Sequence, residues 1–116
     1  MKYRNKKTSL MGYTVASKLE GSVLSMLLLR VRAGEIRDLK TQVNVYLTDA
    51  RILYQADFSY QENGEEIYAE AKGFETPVWK IKLRLWKHYG PGKLLIYKGS
   101  AKRFYLEETV IPKTGG

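Results

Sequence analysis

The sequence predicts an α/β domain in which a mixed β-sheet is flanked by helices, in the order α-β-β-β-α-β. Three observations carry this. Asn63-Gly64 lies between two alternating runs, the strongest short-range hairpin signal, because a type I′ turn needs positive φ at both central residues. Helix-start signatures stand on both sides of that hairpin: Ser17-x-x-Glu20 before it and Thr76-Pro77 after it. A continuous apolar run, Leu94-Leu95-Ile96, follows the second helix and implies a parallel, right-handed βαβ crossover from the hairpin.

The elements follow in order. Residues 1–10 form a basic arm whose Lys2, Arg4, Lys6 and Lys7 either neutralise phosphates or serve as a solubilising tail. The first helix begins near Ser17, with a stripe of Leu19, Val23, Met26, Leu27, Leu28 and Val31, and ends at Gly34. Arg30 and Arg32 suit its last turn. Gln42 to Leu47 reads as a strand with Val43, Val45 and Leu47 on one face. The hairpin strands run from about Ile52 to Tyr60 and from Glu65 to Lys72. The second helix runs from Pro77 to about Tyr89, where Gly90-Pro91-Gly92 stops it. Val78, Ile81 and Leu85, with Trp79, Leu83 and Trp86, are expected to face the core. Lys80, Arg84 and Lys87 make a basic stripe, either a phosphate-binding row or a solvated helix face. Lys93 to Lys98 is a buried strand, a short strand over Arg103 to Leu106 follows, and residues 107–116 form a tail.

Composition narrows the chemistry. A chain of 116 residues suits one domain and one core. Its formal net charge of +8 points to a polyanionic partner, nucleic acid before an anionic membrane. There is no cysteine, which excludes disulfides, zinc-thiolate sites and cysteine nucleophiles. His88 alone cannot supply a histidine-metal cluster, and no Ser-His-Asp triad is suggested. The run Met26 to Leu29 is too short to cross a bilayer, so no membrane role and a cytoplasmic location are expected.

The hairpin concentrates the reactive groups. With Asn63 and Gly64 as a two-residue loop, Glu62 pairs with Glu65, Tyr60 faces Ile67, Phe58 faces Ala69 and Asp57 faces Glu70. Alternation puts Gln55, Asp57 and Ser59 on one face with Tyr68, Glu70 and Lys72. Tyr54, Ala56, Phe58 and Tyr60 share the other with Ile67, Ala69 and Ala71. Opposed carboxylates, with Cβ atoms roughly 4.5–5.5 Å apart in such pairs, repel unless a cation lies between them. Oxygen ligands favour Mg²⁺, with Mn²⁺ able to substitute. The other explanation is an ordinary solvated face of mixed charge, and a longer loop would shift the register.

Glu20, Asp57 and Glu70-Ala71-Lys72, in this element order, resemble the PD-(D/E)XK nuclease superfamily. The chain is more closely similar to a family of small phage-encoded endonucleases of that superfamily, akin to Holliday-junction resolvases. The residues that carry this are Lys2 to Lys7, Ser17 to Glu20, Arg32 to Ile36, Gln42, Ala56 to Phe58 and Lys72 to Thr76. One departure is Ala56, which stands where the superfamily's name places proline. The resemblance implies a restriction-endonuclease-like fold. It implies metal binding by Asp57, Glu70 and the Ala71 backbone carbonyl, with Lys72 orienting or helping to deprotonate the attacking water. Glu20 would complete the site; equally, its place in the capping box alone accounts for it. Gln42 either lines the site or is an exposed strand residue.

The expected activity is thus Mg²⁺-dependent hydrolysis of DNA phosphodiester bonds, on branched or structured DNA, in phage DNA processing in the host cytoplasm. Two cuts per junction imply a homodimer, for which the long first helix is a candidate surface. Lys2, Arg4, Lys6, Lys7, Gln42, Lys80, Arg84 and Lys87 would contact the nucleic acid. The alternative is a non-catalytic nucleic-acid-binding module that retains the fold.

Overall fold

The computed structural model describes residues 8–10 and 12–113. Their order is β1 (Thr8–Leu10), β2 (Tyr13–Val15), α1 (Lys18–Arg32), β3 (Arg37–Leu47), β4 (Ile52–Glu62), β5 (Glu65–Ala71), α2 (Pro77–Tyr89), β6 (Lys93–Gly99) and β7 (Phe104–Val110). The first two strands form a small hairpin. The other five form one sheet in sequential order β3-β4-β5-β6-β7, antiparallel except for the parallel β5–β6 pair across α2. The predicted mixed α/β order is therefore present, with three corrections. The arm expected over 1–10 includes strand β1, and β2 was not foreseen. β3 begins earlier than Gln42. The expected tail is strand as far as Val110, because β7 pairs along β6 over its whole length.

Helix ends follow local chemistry. The Ser17 hydroxyl accepts the Glu20 amide at 3.0 Å. Gly34 sits at φ 78, with its amide on Val31 and the Glu35 amide on Arg30, which satisfies the last carbonyls of α1. Thr76 caps α2 by accepting the Trp79 amide at 3.0 Å.

The helices lie on opposite faces of the sheet. Leu19, Val23, Leu24 and Leu27 of α1 pack with Phe58, Tyr60, Ile67 and Ala69. Trp79 and Trp86 of α2 pack with Tyr54, Ala56, Tyr68, Leu94 and Ile96. The apolar stripe of α1 is thus used by its own core, which removes most of it as a dimer surface. On α2 the tryptophans are buried and Leu83 and Leu85 half-buried, but Val78 and Ile81 are exposed, contrary to expectation.

The hairpin register is the predicted one from Glu62↔Glu65 to Phe58↔Ala69. Its faces are not. Tyr54 and Ala56 join the α2 core while Phe58 and Tyr60 join the α1 core. The same exchange occurs along β3, where Leu39 packs towards α1 and Val43, Val45 and Leu47 towards α2. Between these groups lies Gln42, whose φ of 55 is left-handed. A left-handed residue in a strand breaks two-residue alternation, so side chains beyond it exchange faces. The face expected to collect the polar groups is covered, with Ser59, Tyr68 and Glu70 all buried.

Candidate active site

β4 stops pairing with β5 beyond Phe58–Ala69. Asp57, the next residue, does not form the expected ladder pair with Glu70. Its Oδ2 accepts a hydrogen bond from the Ala71 amide at 2.8 Å, which holds the two strands together where their ladder ends. Glu70 and Lys72 project from the other side of the divide, with Lys72 Nζ 3.4 Å from Glu70 Oε2. The Lys72 amide bonds the Tyr97 carbonyl of β6 at 2.9 Å, and this fixes the backbone beneath it.

Glu70 is out of water and Asp57 is half-buried. Burial pushes Asp57 above the usual carboxylate range, against the Ala71 hydrogen bond and the charge of Lys72, which both pull it down. Burial pushes Glu70 up further, with the negative charge of Asp57 adding to it and Lys72 opposing. Glu70 Oε1 is buried without a hydrogen-bond partner. A buried carboxylate oxygen left in this way is costly and calls for an explanation.

Glu20 is buried in the first turn of α1, and its Oε2 accepts from Gln42 Nε2 at 2.9 Å. The register of β3 on β4 puts Gln42 between the pairs Thr41↔Phe58 and Val43↔Ala56, alongside Asp57. The fold thus brings Glu20 to this part of the sheet through Gln42. Gln42 is half-buried and bonded to Glu20, so it is not a freely exposed strand residue. Among the described residues, no three acidic or histidine side chains gather closely enough to form a metal-ligating cluster. The charge of Asp57 bears directly on Glu70, and Glu20 stands with Gln42.

A cleft of about 240 Å³ opens over Glu70 and Lys72 and is also lined by Tyr54, Thr76, Trp79 and Lys82. Trp79 Nε1 donates to the Tyr54 hydroxyl at 2.9 Å, and Lys72 Nζ lies 5.1 Å from the Trp79 ring centroid. Burial and the charge of Glu70 raise the Tyr54 hydroxyl far above the phenol range. Tyr54 and Trp79 were not expected at the site. Strict alternation puts Tyr54 on the opposite side of β4 from Asp57, and only the face exchange brings it to Glu70. Trp79 reads in sequence as core, which it also is.

The remaining predicted residues are dispersed. Lys80 and Arg84 are exposed on α2 and make no ion pair among the described residues. Lys87 pairs with Glu108 at 3.8 Å. Lys2, Arg4, Lys6 and Lys7 lie outside the described residues. The Ala71 peptide joins Glu70 to Lys72 at the mouth of the strand gap, so its carbonyl belongs to the same backbone segment.

Fold and site define an α/β protein with a buried carboxylate, a half-buried one and a lysine where adjacent strands part. The chain belongs to the family described as "Protein of unknown function (DUF1064)", whose model matches residues 1–102. No curated protein matches the chain. Among solved structures it is similar to one described as "Crystal structure of SSO0001", with 18% identity and a TM-score of 0.41 over 79% of this chain. The chain spans 50% of that structure's length. No helix among the described residues is long and apolar enough to cross a membrane.

Proposed function

We propose that the chain is a Mg²⁺-dependent endonuclease that hydrolyses phosphodiester bonds in branched or structured DNA, with Mn²⁺ able to substitute. The observation that carries this reading is the unpartnered, buried Oε1 of Glu70 beside the half-buried carboxylate of Asp57. A protein has little reason to crowd two carboxyl groups against one lysine where burial and mutual repulsion disfavour their charge. An all-oxygen donor set fits a hard divalent cation. Asp57 and Glu70 would hold it, with the Ala71 carbonyl as a backbone ligand and Glu20 acting through Gln42 or water. When bound, such an ion polarises a phosphoryl oxygen and makes water a better nucleophile at neutral pH.

The chain's own residues supply the rest. Lys72, partly exposed at the cleft, offsets charge developing on the phosphate and orients the attacking water. Trp79 holds the Lys72 ammonium from the opposite side. The Ala71 amide keeps Asp57 aimed into the gap between strands. Lys80, Arg84 and the basic N-terminal arm supply sequence-independent affinity for the phosphate backbone. Resolution of a four-way junction needs two cuts, so this reading carries a homodimer, and a phage enzyme of this kind works in the host cytoplasm.

The test is cleavage of a four-way junction, a nicked duplex, a linear duplex and single strands, side by side, in Mg²⁺ and Mn²⁺. Asp57→Asn and Lys72→Ala are expected to lose at least about 10²-fold in rate while retaining DNA binding. Cleavage by Lys72→Ala at the wild-type rate would overturn the assigned mechanism.

A further inference from the structure

The second helix carries two outward rows, of which only Leu85 also packs on the core. Phe74, in the loop leading into α2, is 79% exposed, Val78 is 60% exposed and Ile81 is 51% exposed. At 3.6 residues per turn, Val78, Ile81, Leu85 and Tyr89 line up along one flank of the helix. Lys80 and Arg84 line up along the other flank of the same outward surface, and Trp79 and Trp86 anchor the inward side. The loop bearing Phe74 is pinned at both ends. The Lys72 amide bonds the Tyr97 carbonyl, Glu75 pairs with Lys98, and Thr76 caps the helix. Phe74 is therefore displayed on an anchored segment.

The apolar row starts at the cleft, since Thr76 and Val78 line it together with Glu70, Lys72 and Lys82, and the Lys80 and Arg84 row runs beside it on the outer flank. A continuous duplex presents sugars and phosphates outward and keeps its bases stacked inside, so it has no use for an apolar row beside a basic one. A single strand presents phosphates along one edge and unstacked bases along the other. Proteins that hold such strands pair cationic side chains with aromatic and apolar surfaces in this way.

We infer that the outward face of α2 binds an unpaired DNA strand and leads it into the cleft, phosphates on Lys80 and Arg84 and bases on Phe74, Val78 and Ile81. The inference rests on the nuclease reading for the role of the cleft and names that site's substrate more narrowly: DNA with an unpaired segment next to the scissile bond. The positive charge of the face favours a nucleic acid over a second copy of this basic chain as its occupant.

Full-length Asp57→Asn protein in EDTA, which cannot cut, is titrated with labelled oligothymidylate and with a duplex of equal length. Adding Phe74→Ala and Ile81→Ser, both at exposed positions, is expected to weaken oligothymidylate binding about tenfold or more and to change duplex binding less than about twofold. Adding Lys80→Ala is expected to weaken both ligands and to lower the salt slope by about one. Equal losses on both DNAs, no loss, or no oligothymidylate binding by the parent would overturn the inference. So would sedimentation showing a dimer that Phe74→Ala and Ile81→Ser dissociate, because the face would then be a self-association surface. Selective loss of single-strand binding in a protein that cuts nothing in any metal would defeat the nuclease reading and leave this face standing. Metal-dependent cutting without selective loss would do the reverse.

Discussion

The carboxylate of Asp57 accepts the backbone amide of Ala71 at 2.8 Å, in the gap that opens where β4 parts from β5. One hydrogen bond thus ties the acid of one strand to the backbone between the acid and lysine of the next. It also leaves Glu70, buried and close to a like charge, as the carboxyl group pushed up furthest.

That makes stability depend on pH in a definite direction. In the unfolded chain Glu70 loses its proton near pH 4, whereas burial and Asp57 push it up to about 8 in the folded protein. Between these limits the folded state holds more protons, so raising the pH favours unfolding. The metal-free protein should melt at progressively lower temperature from about pH 4.5 to 8. Glu70→Gln, which cannot ionise, should flatten that slope in thermal melts. An unchanged slope would mean that Glu70 is ionised in the fold at neutral pH.

A divalent cation should counter that loss. Ligand that binds only the folded state stabilises it by about 2.7 kcal/mol at a hundredfold excess over Kd. Mg²⁺ or Mn²⁺ at pH 7.5 and that excess should raise Tm of the wild type by about 10 °C, at roughly 4 °C per kcal/mol for a domain of this size. Asp57→Asn and Glu70→Gln should show little or no rise. Differential scanning fluorimetry over a metal titration decides this without reference to activity.

Gln42 combines a left-handed backbone with a hydrogen bond to buried Glu20. Gln42→Ala keeps the backbone strain and removes the donor, so a loss of about 1–3 kcal/mol is expected. Gln42→Gly removes the donor but also the strain, worth roughly 1–2 kcal/mol for a non-glycine residue in this region. The glycine variant should therefore be the more stable of the two in urea denaturation. The opposite order would show that Gln42 does not carry strain in solution.

Gly90 has a role beyond stopping a helix. A Cβ built there would lie 2.5 Å from Trp86 Nε1, and Trp86 in turn donates to the Gly92 carbonyl at 2.9 Å. Its φ of −63 is open to any residue, so the constraint is the close approach of the indole. Gly90→Ala should cost about 1–3 kcal/mol through overpacking, read as a lower midpoint in urea at unchanged m-value.

Much was legible in the sequence because it is local. The Asn63-Gly64 turn sets the hairpin register within a few residues, and φ values of 54 and 79 bear out the turn chemistry. Ser17 and Thr76 mark their helices through bonds three residues long. Proximity of Asp57, Glu70 and Lys72 followed from that register.

The tertiary structure alone decided what surrounds them. Alternation predicts faces only while a strand stays regular; β3 exchanges them at the left-handed Gln42, and β4 exchanges them beside it, between Ala56 and Phe58. That exchange carries Tyr54 to Glu70, turns an apparently polar face into a buried one and leaves Oε1 without a partner. Whether Val78 and Ile81 would be core or surface was equally beyond a helical pattern. A helix with apolar residues on most of its circumference can seat only one side on a sheet, and Trp79 and Trp86, the largest, took that side.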